Sequence, residues 1–96
     1  MSVYVIALTN ISDQEEYAVY LRGFMDVFSK YQGKILAADS SPTIKEGAWP
    51  YEKTALLEFP TKEEYERFYH SDDYQALAQH RLKASQSSLV MLKGFG

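Results

Sequence analysis

The sequence predicts an α+β fold in the order β-α-β-β-α-β, one antiparallel sheet carrying its helices on a single face. Three observations carry that reading. Runs of branched and aromatic residues recur at strand length, as in residues 3–9 and 53–59. Capping signals stand ahead of each helical stretch. Between the strands, apolar residues fall at helical spacing.

Residues 3–9 alternate branched and aromatic side chains and read as the first strand. Ser12 with Glu15 forms a capping box, the hydroxyl taking an orphan helix amide while the carboxylate reaches back. The helix behind it carries Tyr17, Tyr20, Leu21, Phe24, Phe28 and Tyr31 at helical spacing, with Gly33 just past its end. Gly23 lies inside this helix at a cost of roughly 1 kcal/mol against alanine, which close packing would justify. Residues 34–38 form the second strand, broken by Ser40-Ser41-Pro42. Residues 43–46 resume as a short edge piece before a Gly47-Ala48-Trp49-Pro50 turn. Residues 53–59 are the third strand, stopped by Pro60. Thr61 and Glu64 make a second capping box for a short helix ending near His70. Ser71 caps the last helix, with Asp72 and Asp73 suited to its positive end, and that helix runs to Ala84. Residues 88–93 are the final strand. The whole reads as one ferredoxin-like domain over residues 1–96, with no repeats, linkers or low-complexity tracts.

Composition excludes several classes of function. With no cysteine there is no disulfide, thiolate metal site or cysteine nucleophile. A net charge of -3 with both signs interspersed argues against a nucleic-acid surface. Met1-Ser2-Val3-Tyr4 lacks a basic leader region, and no apolar run approaches the roughly 20 residues that span a bilayer. The expectation is a cytoplasmic protein with no nucleic-acid or membrane partner. Tyrosine outnumbers the other aromatics, eight against five phenylalanines and one tryptophan. A ring with a hydroxyl that wants a partner suits half-wet pockets and interfaces.

A sheet covered on one face should alternate apolar and polar residues, and these strands do not. The first strand offers Val3, Val5 and Ala7 to one face and Tyr4, Ile6 and Leu8 to the other. The third offers Ala55, Leu57 and Phe59 against Thr54, Leu56 and Glu58; the fourth offers Val90 and Leu92 against Leu89 and Met91. Both faces are apolar, yet the chain supplies helices for one. The expected remedy is a homodimer with the two sheets packed face to face.

Gly47-x-Trp49-Pro50, a strand closing on Glu58-Phe59-Pro60, then Tyr69-His70-Ser71-x-x-Tyr74-Gln75 and Arg81 resemble the domain-of-unknown-function family 1330. The likeness covers nearly the whole chain. This resemblance implies membership of the dimeric α/β-barrel superfamily, hence the same ferredoxin-like fold and a dimeric α/β barrel. That superfamily includes cofactor-independent monooxygenases, isomerases, haem-degrading enzymes and small-molecule sensing domains. Haem-degrading members look similar here but carry Trp where this chain has Phe68 and a haem-ligating His where it has Ala78. His80 lies two positions on, about 200° around a helix, so it is no substitute.

His70 is the candidate general acid/base, since imidazole titrates near neutrality and a helix break lets it point into a cleft. The alternative is that it bonds a backbone carbonyl. His70 and His80 form no metal motif with any acid, and no cofactor pattern is present. Tyr74, Leu77, Ala78 and Arg81 share an inward helical stripe. Arg81 there needs an anion: Glu58, Asp39 or the carboxylate of a ligand. Glu58 can be that partner or a general base. Trp49 is either the wall of a cleft or an anchor on a second subunit. Tyr69 and Tyr74 shape the cavity, and Tyr4 lines the space between sheet and helices. The expected function is binding of a small, partly aromatic or anionic molecule between sheet and helices, with cofactor-independent catalysis implied by resemblance. A non-catalytic binding or structural homodimer is the alternative.

Overall fold

Alternation along the first strand decides which side of the sheet the helices cover. Val3, Val5 and Thr9 are buried while Tyr4, Ile6 and Leu8 between them are not, so odd-numbered residues face inward. The structure, a computed structural model, describes residues 1–95. Its elements are β1 (Val3–Ile11), α1 (Gln14–Phe28), β2 (Lys34–Asp39), β3 (Lys53–Phe59), α2 (Lys62–Tyr69), α3 (Asp72–Ala84) and β4 (Ser85–Lys93). The four strands form one antiparallel sheet in the order β2-β3-β1-β4. With three helices on one face, this is a ferredoxin-like α+β fold. Among the described residues no helix is long and apolar enough to cross a membrane.

Register carries the inward face across the sheet. Val3, Val5, Ala7 and Thr9 pair with Phe59, Leu57, Ala55 and Lys53 of β3. Val5 and Ala7 pair with Met91 and Leu89 of β4. The outward face carries Tyr4, Ile6, Leu8, Glu58, Leu56, Val90 and Leu92 by the same registers.

Local chemistry sets the helix ends, with one departure from expectation. Thr61 and Ser71 accept from the amides of Glu64 and Tyr74 as N-caps of α2 and α3. Glu64 does not reach back to Thr61; its carboxylate takes the Gln32 amide and Arg67 instead. The cap of α1 is Asp13, which accepts from Glu16, and not Ser12. The Ser12 hydroxyl joins the Ser12 and Asp13 amides on the Ala84 carbonyl, where α3 runs straight into β4. β4 therefore begins three residues before its expected start. Residues 43–46 form no edge strand. They belong to an exposed connection, residues 40–52, that turns at Gly47 with φ of 75°.

Aromatic rings from four elements fill the interlayer space. Phe28 of α1 and Phe59 of β3 meet edge-on at 5.8 Å, and Phe68 of α2 lies 5.4 Å from Phe28. Tyr74 of α3 approaches Phe68 to 4.4 Å. A Cβ on Gly33 would stand 2.7 Å from both Phe28 and Phe59, so only glycine lets the chain pass there. Gly23 plays the equivalent part between helices: a Cβ would meet Leu77 of α3 at 2.7 Å.

Phe59 is fully enclosed. Replacing it by alanine removes one ring from that junction and is expected to cost about 3–5 kcal/mol, read as a lowered urea midpoint. A loss below about 1 kcal/mol would show that the rings close over the gap and that the junction is not what holds the layers.

Candidate ligand-binding site

Away from Phe59 the inward face of the sheet carries small residues. Ala7 of β1, Ala38 of β2 and Ala55 of β3 floor a cavity of about 140 Å³ between sheet and helices. Tyr17, Tyr20 and Phe24 of α1 and Tyr74 and Arg81 of α3 roof it, and α2 closes one side with Tyr65 and Tyr69. Half-exposed Leu21 and Ile35 also line it, marking where it opens to solvent. An apolar cavity near 150 Å³ holds one benzene ring, so the body of an occupant is about one ring in size.

Arg81 gives this space its chemical character. It is 6% exposed, on the buried stripe of α3 with Tyr74 and Ala78. Its Nε is enclosed and makes no hydrogen bond. The ion pairs among the described residues are Lys30–Asp73, Arg67–Glu64, His70–Glu66 and His80–Glu16, and none engages Arg81. Its guanidinium lies 5.8 Å from the centroid of the Tyr20 ring. Burial works against its charge, but Tyr74 and Tyr20 more than offset this, so its pKa lies above the usual guanidinium value. The cavity therefore holds a permanent cation without a carboxylate.

The Tyr17, Tyr20 and Tyr65 hydroxyls are donors and not bases. Tyr20 and Tyr74 share a hydrogen bond of 2.8 Å. Burial, then the Tyr74 hydroxyl, pushes Tyr20 far above the usual phenol range, with Arg81 opposing. Burial pushes Tyr65 up to about 12, helped by Tyr69 and Tyr74. Protonated phenols and a guanidinium aimed into a low-dielectric space suit an oxyanion. The Tyr17 hydroxyl is likewise held protonated by burial, with Thr9 and Arg81 acting the other way. Among the described residues no cluster of three or more His, Asp or Glu side chains is placed to hold a metal ion.

Of the residues singled out from the sequence, Arg81, Tyr69 and Tyr74 come together at this cavity. The structure places the others elsewhere. Tyr4 and Glu58 pair across β1 and β3 on the outward face, where the Glu58 carboxylate raises the Tyr4 pKa by accepting its hydrogen bond. A strand residue on that face cannot reach Arg81 through the sheet. Asp39 accepts from the Ser41 amide in the loop after β2. Trp49 donates from Nε1 to Thr54 Oγ1 at 2.9 Å, and Thr54 pairs with Leu8 on the outward face. His70 caps the C-terminus of α2, 66% of its side chain is exposed, and its Nε2 lies 2.9 Å from Glu66. The imidazole falls on the solvent side of α2, while its neighbour Tyr69 takes the inward position.

Tyr17, Tyr20, Tyr65 and Lys53 also belong to the lining, although the sequence pattern does not mark them as site residues. The first two look like plain helix core, although phenylalanine would serve a dry core better than a hydroxyl-bearing ring. Lys53 lies two residues before Ala55 on the inward period of β3, a position its charge disguises.

No curated protein matches the sequence. Among solved structures, a protein of unknown function from Rhodopseudomonas palustris aligns with a TM-score of 0.83 at 19% identity, over 99% of this chain and 83% of that one. A dimeric ferredoxin-like protein of unknown function from Thermobifida fusca aligns at 0.71 and 12% identity, over 98% and 92% of the two chains. SnoaB, a cofactor-independent oxygenase from Streptomyces nogalater, aligns at 0.68 and 8% identity, over 99% and 94%. At such identities the likeness establishes the fold alone. The sequence itself is more specific: residues 2–95 match the domain of unknown function DUF1330, and the chain belongs to that family.

Proposed function

We propose that the cavity binds a small organic anion with a single-ring body, held at its charged end by Arg81. The observation that carries this reading is a buried guanidinium with a free Nε and no acid partner among the described residues. A buried charge without an acid partner is costly to keep, and here only the Tyr20 ring and the Tyr20 and Tyr74 oxygen atoms stand in for one. A ligand carboxylate supplies the missing partner, with a planar fork matched to it. Tyr20, Tyr69 and Tyr74 then shape the ring site, and the one proton of the Tyr20–Tyr74 pair not used between them is free to reach the anion.

A catalytic reading is favoured by one feature, the Tyr20–Tyr74 hydroxyl pair beside Arg81. Such donors stabilise an enolate or phenolate oxygen without a cofactor, and SnoaB is a cofactor-independent oxygenase on the same fold. In that reading Tyr74 is the proton donor. His70 would need a partner chain or a ligand to draw it away from Glu66.

The second part of the proposal is a homodimer through the outward sheet face, making a dimeric α/β barrel. Val90 and Leu92 are 46% and 50% exposed there, alongside Ile6, Leu8 and Leu56. Trp49 lies against the same face through Thr54, which suits an anchor on a second copy better than a cavity wall. The relative from Thermobifida fusca is described as dimeric.

Thermal shift tests the first part, with benzoate as the probe. At a hundredfold excess over Kd a ligand adds about 2.7 kcal/mol, which for a chain of this length raises Tm by roughly 10 °C or more. Arg81→Met should abolish that shift. Without ligand, the same variant should be as stable as wild type, or more stable by about 1–4 kcal/mol, because an apolar side chain replaces an unpaired charge. Destabilisation of the free protein by about 3–5 kcal/mol would reveal an internal ion pair instead, and equal shifts in both proteins would remove Arg81 as the anion holder. For the second part, wild type should sediment as a dimer at micromolar concentration and Val90→Glu as a monomer. A monomeric wild type would sink the dimer.

A further inference from the structure

Arg81 has a second cation for company along the cavity wall. Lys53 opens β3 opposite Thr9 of β1 and shares the inward face with Ala55 and Leu57. Its Nζ stands over the Tyr17 ring, 5.4 Å from the centroid. Tyr17 also feels the Arg81 charge, so the two cations flank one phenol. Lys53 takes no part in the ion pairs among the described residues. A ring face attracts an ammonium but cannot accept its three N–H donors in good geometry. Burial lowers its pKa, and no carboxylate acts in the other direction.

Sequence alone makes this lysine unremarkable, since a long stem usually carries the charge out to water. Here the charged end stays on a cavity wall. No Asp or Glu is among the residues lining that cavity, which thus presents two cations and no acid. The two differ in depth. Arg81 is buried to 6% exposure, whereas Lys53 is half-buried. A monoanion leaves one of the two positive charges unbalanced.

We infer that the natural ligand carries two acidic groups on a ring-sized body, the inner one held by Arg81 and the outer one by Lys53. Lys53 is then the residue that selects a di-acid over a mono-acid of the same size. The inference rests on the reading of Arg81 as the inner anion holder. Only the ring body need fit the enclosed volume, because the outer group sits at the half-buried cation.

Titration calorimetry with benzoate, isophthalate and terephthalate tests this on wild type, Lys53→Met, Lys53→Gln, Lys53→Arg and Arg81→Met, each first checked for native circular dichroism. Two neutral replacements ensure that a misfolded variant does not decide the outcome. Wild type should bind at least one di-acid roughly tenfold more tightly than benzoate, the scale of one hydrogen bond to a charged group. Lys53→Met and Lys53→Gln should bring that ratio to about one, weakening the di-acids more than benzoate. Lys53→Arg should keep the preference. Di-acids no tighter than benzoate in wild type, or an equal loss for all three probes on neutralising Lys53, would overturn the role of Lys53 and leave Arg81 untouched. Unchanged benzoate binding in Arg81→Met would instead overturn the inner site, and the inference with it.

Discussion

Phe28, Phe59 and Phe68 meet with ring centroids 5.4 to 5.8 Å apart and tie α1, β3 and α2 together at one end of the sheet. Tyr74 extends the tie to α3 through Phe68. Close-packed rings do not compress, so this junction sets how far the helices stand from the sheet. Where the floor passes from Phe59 through Leu57 to Ala55, Ala7 and Ala38, the side chains no longer fill the same spacing, and the cavity results. The hollow is a consequence of fixed layer separation over small side chains. It needs no lid or hinge to exist.

The same spacing explains why Arg81 is costly to keep. A guanidinium three residues from Ala78 and three from Ala84, both buried on α3, is held away from bulk water. Its compensation within the described residues is one ring face and the oxygen atoms of Tyr20 and Tyr74. Against a net stability of about 5–15 kcal/mol for a small domain, a deficit of a few kcal/mol is large. Met or Leu would satisfy the helical stripe equally well. The charge is therefore better understood through what enters the cavity than through what holds the fold.

Much of this architecture was legible in the sequence, for reasons that also mark the limits. Thr61 and Ser71 announce helix starts because capping is decided within four residues. Ser12 failed as a cap because a distant carbonyl, that of Ala84, competes for its hydroxyl, and Asp13 stands ready next to it. Period-two spacing grouped the strand residues into faces correctly, and helical spacing put Arg81 on the buried stripe. Spacing cannot say which of two apolar faces the helices cover, and Tyr4 and Glu58 lie on the other one. His70 was chosen for its chemistry, and residue type carries no information about direction at a helix end. Lys53 was passed over for the opposite reason: its charge suggested solvent, although its place in β3 pointed inward.

Both faces of the sheet carry chemistry, and adjacent residues of one strand serve opposite sides. Lys53 lines the cavity while Thr54, one residue on, receives the Trp49 indole. Leu57 faces the tyrosines while Leu56 and Glu58 face outward. A sheet one layer thick thus separates the proposed ligand site from the proposed subunit interface, and side chains of the two sets do not touch through it. β3 cannot slip to an alternative register without exchanging the two sets, since a one-residue shift would put Thr54 into the cavity and Lys53 against the partner. The inward demand for Phe59 at the ring junction prevents that shift. The interaction that spaces the layers also keeps the two faces distinct.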